Sequence, residues 1–241
     1  MFKKKIELDC YTHIPGLIEM QPLKKHAKPP SWWSKIKSLY KVYDSKKGMH
    51  LKVPTVKTCP GVVEYIRKPI NFNLWTDLNI VVSPDGRIKS SGPQNSAEGI
   101  DQVEMHSIQQ YHPDLYGNSV VIKLVVPWII ETNDEANFLI SETHYSPELR
   151  NLGITVIPGV LNFKYQHSIN VFLVLPVKEE EYEIELKYDT PLMSLFALSE
   201  RDVNITMHET DGMFMGKMTN IYPSVTSGRY YAYKKLFRNK N

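Results

Sequence analysis

Apolar and polar residues alternate near the start of the chain. In Lys5-Ile6-Glu7-Leu8-Asp9-Cys10-Tyr11-Thr12, Ile6, Leu8 and Cys10 fall on one side and the carboxylates on the other. A period of two is that of a strand with one face in water, so residues 5–12 are predicted as a half-buried strand. Pro15-Gly16 and the run from Pro22 to Pro30 come next. Prolines withhold backbone donors, which predicts an extended connection. The period then changes. Trp32, Trp33, Ile36, Leu39, Tyr40 and Tyr43 recur at three-and-four spacing, with Lys35, Lys37 and Lys41 between them. This predicts a short amphipathic basic helix over residues 31–43, with Ser31 as N-cap and the tryptophan face packed on the body. Residues 60–67 predict one or two further helical turns, ended by Pro69.

From Asn71 the chain reads differently. Runs rich in Val, Ile, Leu, Phe and Thr recur at 72–83, 87–90, 103–107, 119–132, 137–141, 154–165, 168–177, 182–187 and 192–198, separated by turn residues. Ser83-Pro84-Asp85-Gly86 is a turn signature between two of them. Short strands without intervening helices of useful length predict a mainly β protein: an antiparallel β-sandwich or jelly-roll-like body. Short helices are expected only at 31–43, at 60–67 and in the C-terminal tail. Residues 168–176 are almost continuously apolar and are predicted to be buried on both faces; Glu183 to Lys187 alternates and should keep one face in water. Glu179-Glu180-Glu181 reads as a solvated turn. The chain is thus divided into a basic N-terminal part (1–68), a β body (69–205) and a tail (206–241), within a single structural domain overall.

Length and composition agree with this. A chain of 241 residues, 42% hydrophobic and 23% charged, can bury a sizeable core and is no disordered tail, collagen-like repeat or coiled coil. The net charge of +3 hides an asymmetry. Residues 1–68 carry 15 Lys/Arg against 5 Asp/Glu, residues 69–228 carry 9 against 21, and residues 229–241 carry 5 against none. Basic ends beside an acidic middle point to arms that dock on an acidic surface, either their own body or a partner. No signal-peptide pattern is visible and no apolar run approaches the roughly 20 residues that span a bilayer. The protein is expected to be soluble, away from membranes, in a virion or a host cytoplasm. Two cysteines, Cys10 and Cys59, form no disulfide framework.

Candidate chemistry is sparse. The sequence has no phosphate loop, nucleophile elbow, Cys-x-x-Cys pair or His-Glu-x-x-His helix. His112-Pro113-Asp114 has the His-x-Asp spacing of two legs of an iron facial triad, for which His144 or His167 could supply the distal imidazole. Proline at the middle position and the eight histidines of the chain make a surface turn the plainer reading, so no catalytic residue, metal or cofactor is expected. Fe(II) enters only under an alternative reading as a jelly-roll oxygenase. Cys59 could lie at a helix start, where thiols acidify; a buried structural thiol is the commoner outcome. Two stretches interleave lysines with aromatic rings. Trp32, Trp33, Lys35 and Tyr40 belong to the first, and Tyr230, Tyr233 and Lys234 to the second, where Tyr230, Tyr233 and Phe237 recur at helical spacing with the lysines between them. Such stretches suit anchors on a neighbouring subunit; stacking of single-stranded nucleic acid is the secondary option.

Several local phrases come in a familiar order: Pro29-Pro30-Ser31-Trp32-Trp33, Thr55-Val56-Lys57-Thr58-Cys59-Pro60-Gly61, Leu74-Trp75-Thr76-Asp77, the His106-to-Gln110 spacing, Val126-Pro127-Trp128, Pro158-Gly159-Val160 and Asp189-Thr190-Pro191-Leu192. From residue 7 to about 200 the chain resembles a family of uncharacterised proteins encoded by tailed bacteriophages, cyanophages among them, and by marine metagenomes. The resemblance implies a viral origin and a β-rich body, carries over no catalytic residue and leaves the tail unaccounted for. The expectation is a non-enzymatic binding or virion-associated structural protein, homo-oligomeric or joined to a viral partner. The alternatives are the iron oxygenase and a nucleic-acid or sugar-binding module.

Overall fold

The computed structural model describes residues 4–24, 29–92, 103–106 and 117–213. The protein is mainly β, with several antiparallel sheets. The first strand, β1 (Ile6–Thr12), buries Ile6, Leu8, Cys10 and Thr12 and turns the alternate residues outward, as the period of two predicts. A single helical turn, α1 (Leu17–Met20), interrupts the connection expected to be extended. It follows Gly16, whose φ of +72° starts the turn in a conformation that few other residues adopt.

The predicted helix over 31–43 is absent. Residues 31–35 form a 3-10 turn, and the chain then runs out as a hairpin of β2 (Leu39–Asp44) and β3 (Met49–Pro54). The aromatic and β-branched residues of Leu39-Tyr40-Lys41-Val42-Tyr43 favour a pleated surface. The Asp44 side chain accepts from the backbone N–H of Lys46 (2.9 Å) and Lys47 (3.2 Å), and Gly48 has a φ of +63°. These turn contacts and the alternating second strand outweigh the three-and-four spacing. After the hairpin, α2 (Pro60–Arg67) has proline in its first turn, where the missing N–H costs nothing.

The body is built from β4 (Ile70–Asn73), β5 (Leu78–Val82), β6 (Ile88–Ser91), β7 (Val103–His106), β8 (Ser119–Glu131), β9 (Phe138–Ser141), β10 (Thr155–Val156), β11 (Gly159–Leu161), β12 (Ser168–Pro176), β13 (Tyr182–Leu186), β14 (Pro191–Ala197) and β15 (Val203–Glu209). One sheet has the order β10-β12-β8-β1-β15, with β7 also paired to β8. The 13-residue β8 is its spine. One edge of β8 pairs with β12; the other is shared by β7 at Val121–Leu124 and β1 at Ile129–Glu131. The β1–β15 pairing is parallel, Ile6 to Val203 through Thr12 to Glu209. Polar contacts on its solvent side reinforce it: Asn204 donates to Glu7 at 2.7 Å, His208 to Asp9 at 2.9 Å, and the His208 ring stacks on Tyr11.

Facing this sheet are β11-β9-β14-β4 and β13-β5-β6. Two chain segments pass from one of these sheets into the other, β4 into β5 and β13 into β14. The corner between them is tied by Leu74 N–H to Thr190 O, Asp189 N–H to Leu74 O and Tyr188 N–H to Asp77 Oδ1, each 2.7–2.8 Å. Asp189 holds a φ of +67° there, with its carboxylate accepting from Asn73 at 2.8 Å. One apolar cluster runs between the layers, with Ile6, Leu8, Ile122, Leu124 and Val171 from the first and Phe72, Phe138, Ile80, Ile184 and Leu195 from the others, the arrangement of a β-sandwich body.

Other expectations need correcting. A short helix, α3 (Pro147–Asn151), lies inside the region predicted to be free of helix, and β15 lies across the boundary drawn at residue 205. The single run 72–83 is two strands, because Leu74 to Asp77 makes the corner. In β12, Leu173, Val174 and Leu175 are buried in succession while its first half alternates. In β13 the alternation leaves Glu183 and Glu185 in water, as expected.

Candidate binding surface

The hairpin β2–β3 stands out from the body. Among the described residues, neither strand pairs with any strand but the other. Its register sets Tyr40 opposite Val53, Val42 opposite Leu51 and Asp44 opposite Met49 on one face; Leu39 opposite Pro54, Lys41 opposite Lys52 and Tyr43 opposite His50 lie on the other. The first face is an apolar stripe in which Tyr40, Val42, Met49 and Val53 are 40–51% exposed. The second is cationic and aromatic, with the Tyr43 and His50 rings edge to face at 5.3 Å. Two lysines directly opposite each other destabilise a ladder, and an isolated two-stranded ribbon is marginal in water.

A hydrogen-bonded aromatic stem carries the hairpin. Trp32 Nε1 donates to the Tyr145 carbonyl at 2.8 Å, and the Trp32 ring packs on Tyr145 and edge-on to Trp33. From α2, Tyr65 joins the same group, packing on Tyr145 and Phe196 and donating to the Glu142 carbonyl at 2.8 Å; burial pushes its hydroxyl pKa up. On the returning strand Thr55 closes the stem, its N–H to Ser38 O at 3.1 Å and its hydroxyl to Lys37 O at 2.8 Å, while Lys57 donates to Ile36 O at 3.2 Å. Trp32 and Trp33 are half-buried, not buried as a helix face would be.

Of the residues singled out in the sequence, Trp32, Trp33, Lys35 and Tyr40 thus fall on the stem and the hairpin. Sequence reasoning missed the second strand, with His50, Leu51, Lys52 and Val53. The signal that could have found it is Asp44-Ser45-Lys46-Lys47-Gly48 between two alternating runs. Tyr230, Tyr233 and Lys234 lie outside the described residues, as do His112 and Asp114. His167 is buried, its Nδ1 donating to the Ile130 carbonyl at 3.1 Å, which gives it a structural task. His144 is half-exposed, 3.4 Å from both the Glu142 carboxylate and the Arg150 guanidinium. Among the described residues no group of three or more His, Cys, Asp or Glu side chains could hold a metal ion. Cys10 is buried, and burial raises its thiol pKa far above the usual range; Cys59, the N-cap residue of α2, is exposed, and both thiols are free.

Two clefts flank α3. One, of about 190 Å³, is lined by Glu142, Thr143, Leu149, Arg150 and Val156; the other, beside Tyr65 and Tyr145, has about 30 Å³. Both are below the roughly 300–1,000 Å³ of small-molecule pockets. No described helix is long and apolar enough to cross a membrane. Comparison with protein-family models and with curated proteins finds no match.

Proposed function

We propose that this is a non-enzymatic binding protein, a structural component of a virus particle or of its assembly, that engages its partner through the β2–β3 hairpin. The observation that carries the proposal is the pair of unlike open faces on a ribbon held by a buttressed stem. Exposed apolar side chains at alternate positions have a physical purpose when a partner covers them. Aromatic anchors with lysines beside them fit a protein interface. The resemblance to bacteriophage proteins supports the viral context.

Limited trypsin digestion tests the reading. Cleavage at Lys41, Lys46, Lys47 or Lys52 is expected to abolish the protein's associations while the nicked body keeps its melting temperature. Associations that survive the nick would overturn it. So would stoichiometric iron or zinc in protein purified without chelator, which would move the oxygenase reading ahead.

A further inference from the structure

The unlike faces of the hairpin also bear on what covers them. A nucleic acid would satisfy Lys41, Lys52 and the Tyr43–His50 ring pair but leave Tyr40, Val42, Leu51 and Val53 in water, whereas a protein can cover both sides. No described strand of the body pairs with or layers onto the hairpin. Among the described residues, Lys35, Lys37, Lys41, Lys46, Lys47 and Lys52 form no ion pair. Yet the body offers the matching charge. β13 is the end strand of its sheet, and along it and the turn before it Glu179, Glu180 and Glu183 are exposed with no cationic partner among the described residues. Glu185 is held by Lys187 and Glu181 accepts from Ser83.

Area decides how a second copy would use these surfaces. A ribbon of two six-residue strands is about 20 Å long and about 10 Å wide, so each face offers about 200 Å². One face laid on one partner buries about 400 Å² over both molecules, a third of the smallest stable interface. Two hairpins, each covered on both faces, bury about 1,600 Å², the standard size.

Resting on the hairpin as contact element, we infer that two copies of this chain exchange hairpins reciprocally. Each hairpin is clasped on both faces by the other copy, with Lys41 and Lys52 over the second copy's Glu179, Glu180 and Glu183. The contact is isologous and closes as a dimer. Charge sets its orientation and the apolar face supplies most of its affinity.

Sedimentation velocity of the full chain up to about 100 μM, above the range in which standard-size interfaces dissociate, tests this with two double variants. Lys41→Glu/Lys52→Glu and Glu180→Lys/Glu183→Lys change exposed residues only, so both should keep the wild-type circular dichroism, and the wild-type urea midpoint at a dilution where all the proteins are monomeric. Wild type is expected to be a dimer. Each variant alone, its hairpin and acidic strip now of like sign, should dissociate at least about tenfold more readily. An equimolar mixture of the two should restore the dimer, because each hairpin then meets a strip of opposite sign; a hairpin folded back on its own body could not be rescued by mixing. A monomeric wild type, a dimer indifferent to both variants, or a mixture that stays monomeric would overturn the inference. If the wild type is a monomer whose binding to a single-stranded oligonucleotide is lost in Lys41→Glu/Lys52→Glu, the inference falls while the hairpin remains the contact element. Associations that outlast tryptic nicking would remove that underlying reading too.

Discussion

β1 and the β2–β3 hairpin obey the same rule of alternation and end in opposite conditions. In β1 the inward residues Ile6, Leu8 and Cys10 are at most 1% exposed, whereas Tyr40, Val42, Met49 and Val53 of the hairpin are 40–51% exposed. β1 lies between β8 and β15 over the core, while among the described residues each hairpin strand has one partner strand and belongs to no layer of the core. Alternation therefore prepares a face for burial without specifying what buries it. In one region the chain itself does so. In the other no described residue does so, and apolar surface left in water carries a hydration cost.

Substitutions can break or sharpen this contrast. The largest effect belongs to the core. Phe138, fully buried and 5.0 Å from the Phe163 ring, leaves a cavity when changed to Ala and should cost about 3–5 kcal/mol in urea unfolding. Arg201→Ala comes next. Its guanidinium donates to the Lys4 and Lys5 carbonyls at 2.7 Å and to Asp134 at 2.5 Å, closing the start of β1 against the turn before β15. Loss of these charge-assisted bonds should cost about 2 kcal/mol. Arg201 also holds the Asp134 carboxyl below its usual pKa. A depressed pKa stabilises the fold above the unfolded carboxyl value of about 4 and ceases to do so as pH falls through the folded value. Wild type should accordingly lose more stability than Asp134→Asn when unfolding is followed downward from pH 5, and equal losses would show the pair to be inert.

Trp32→Phe keeps the stem's aromatic packing but removes the bond to the Tyr145 carbonyl. About 1 kcal/mol should be lost, visible as faster tryptic cleavage at Lys35 and Lys37 with little change in global melting. Smallest of all is Val42→Asp, which should move the unfolding free energy by less than about 0.5 kcal/mol while weakening association. A large drop in the stability of the isolated chain would mean that the hairpin is packed after all, and the contrast with β1 would vanish.

Much of the body was legible in the sequence because its signals are local. Ile6 to Cys10 and Glu183 to Lys187 announce their faces by alternation, and Ser83 to Gly86 announces a hairpin that the structure closes with Ser83 N–H to Arg87 O at 2.9 Å. What escaped depends on distant partners. Nothing in Leu74-Trp75-Thr76-Asp77 says that Thr190 and Asp189 wait to tie it into a corner, and Val203 to Glu209 is too polar to read as a strand until β1 lies beside it. The hairpin was misread for a different reason. Six aromatic and aliphatic residues fit a helical spacing by coincidence, and their number drew attention from the turn at Asp44 to Gly48. Trp32 and Tyr40 were thereby singled out as contact residues on the wrong element. Lys52 and Val53 reach the same surface only because that turn brings the chain back.

The parallel pairing of β1 with β15 sets the order in which the molecule can be completed. Residues 6–12 are made long before residues 203–209, pair with β8 through only three residues, Asp9 to Tyr11, and find their full-length neighbour only when residues 203–209 have been made. A closure spanning nearly two hundred residues belongs to slow, high-contact-order folding. Until it forms, one edge of β1 is an unpaired template for strand addition. The nascent chain is therefore most exposed to misassociation at the moment when the rest of this sheet is in place and β15 is still to be added.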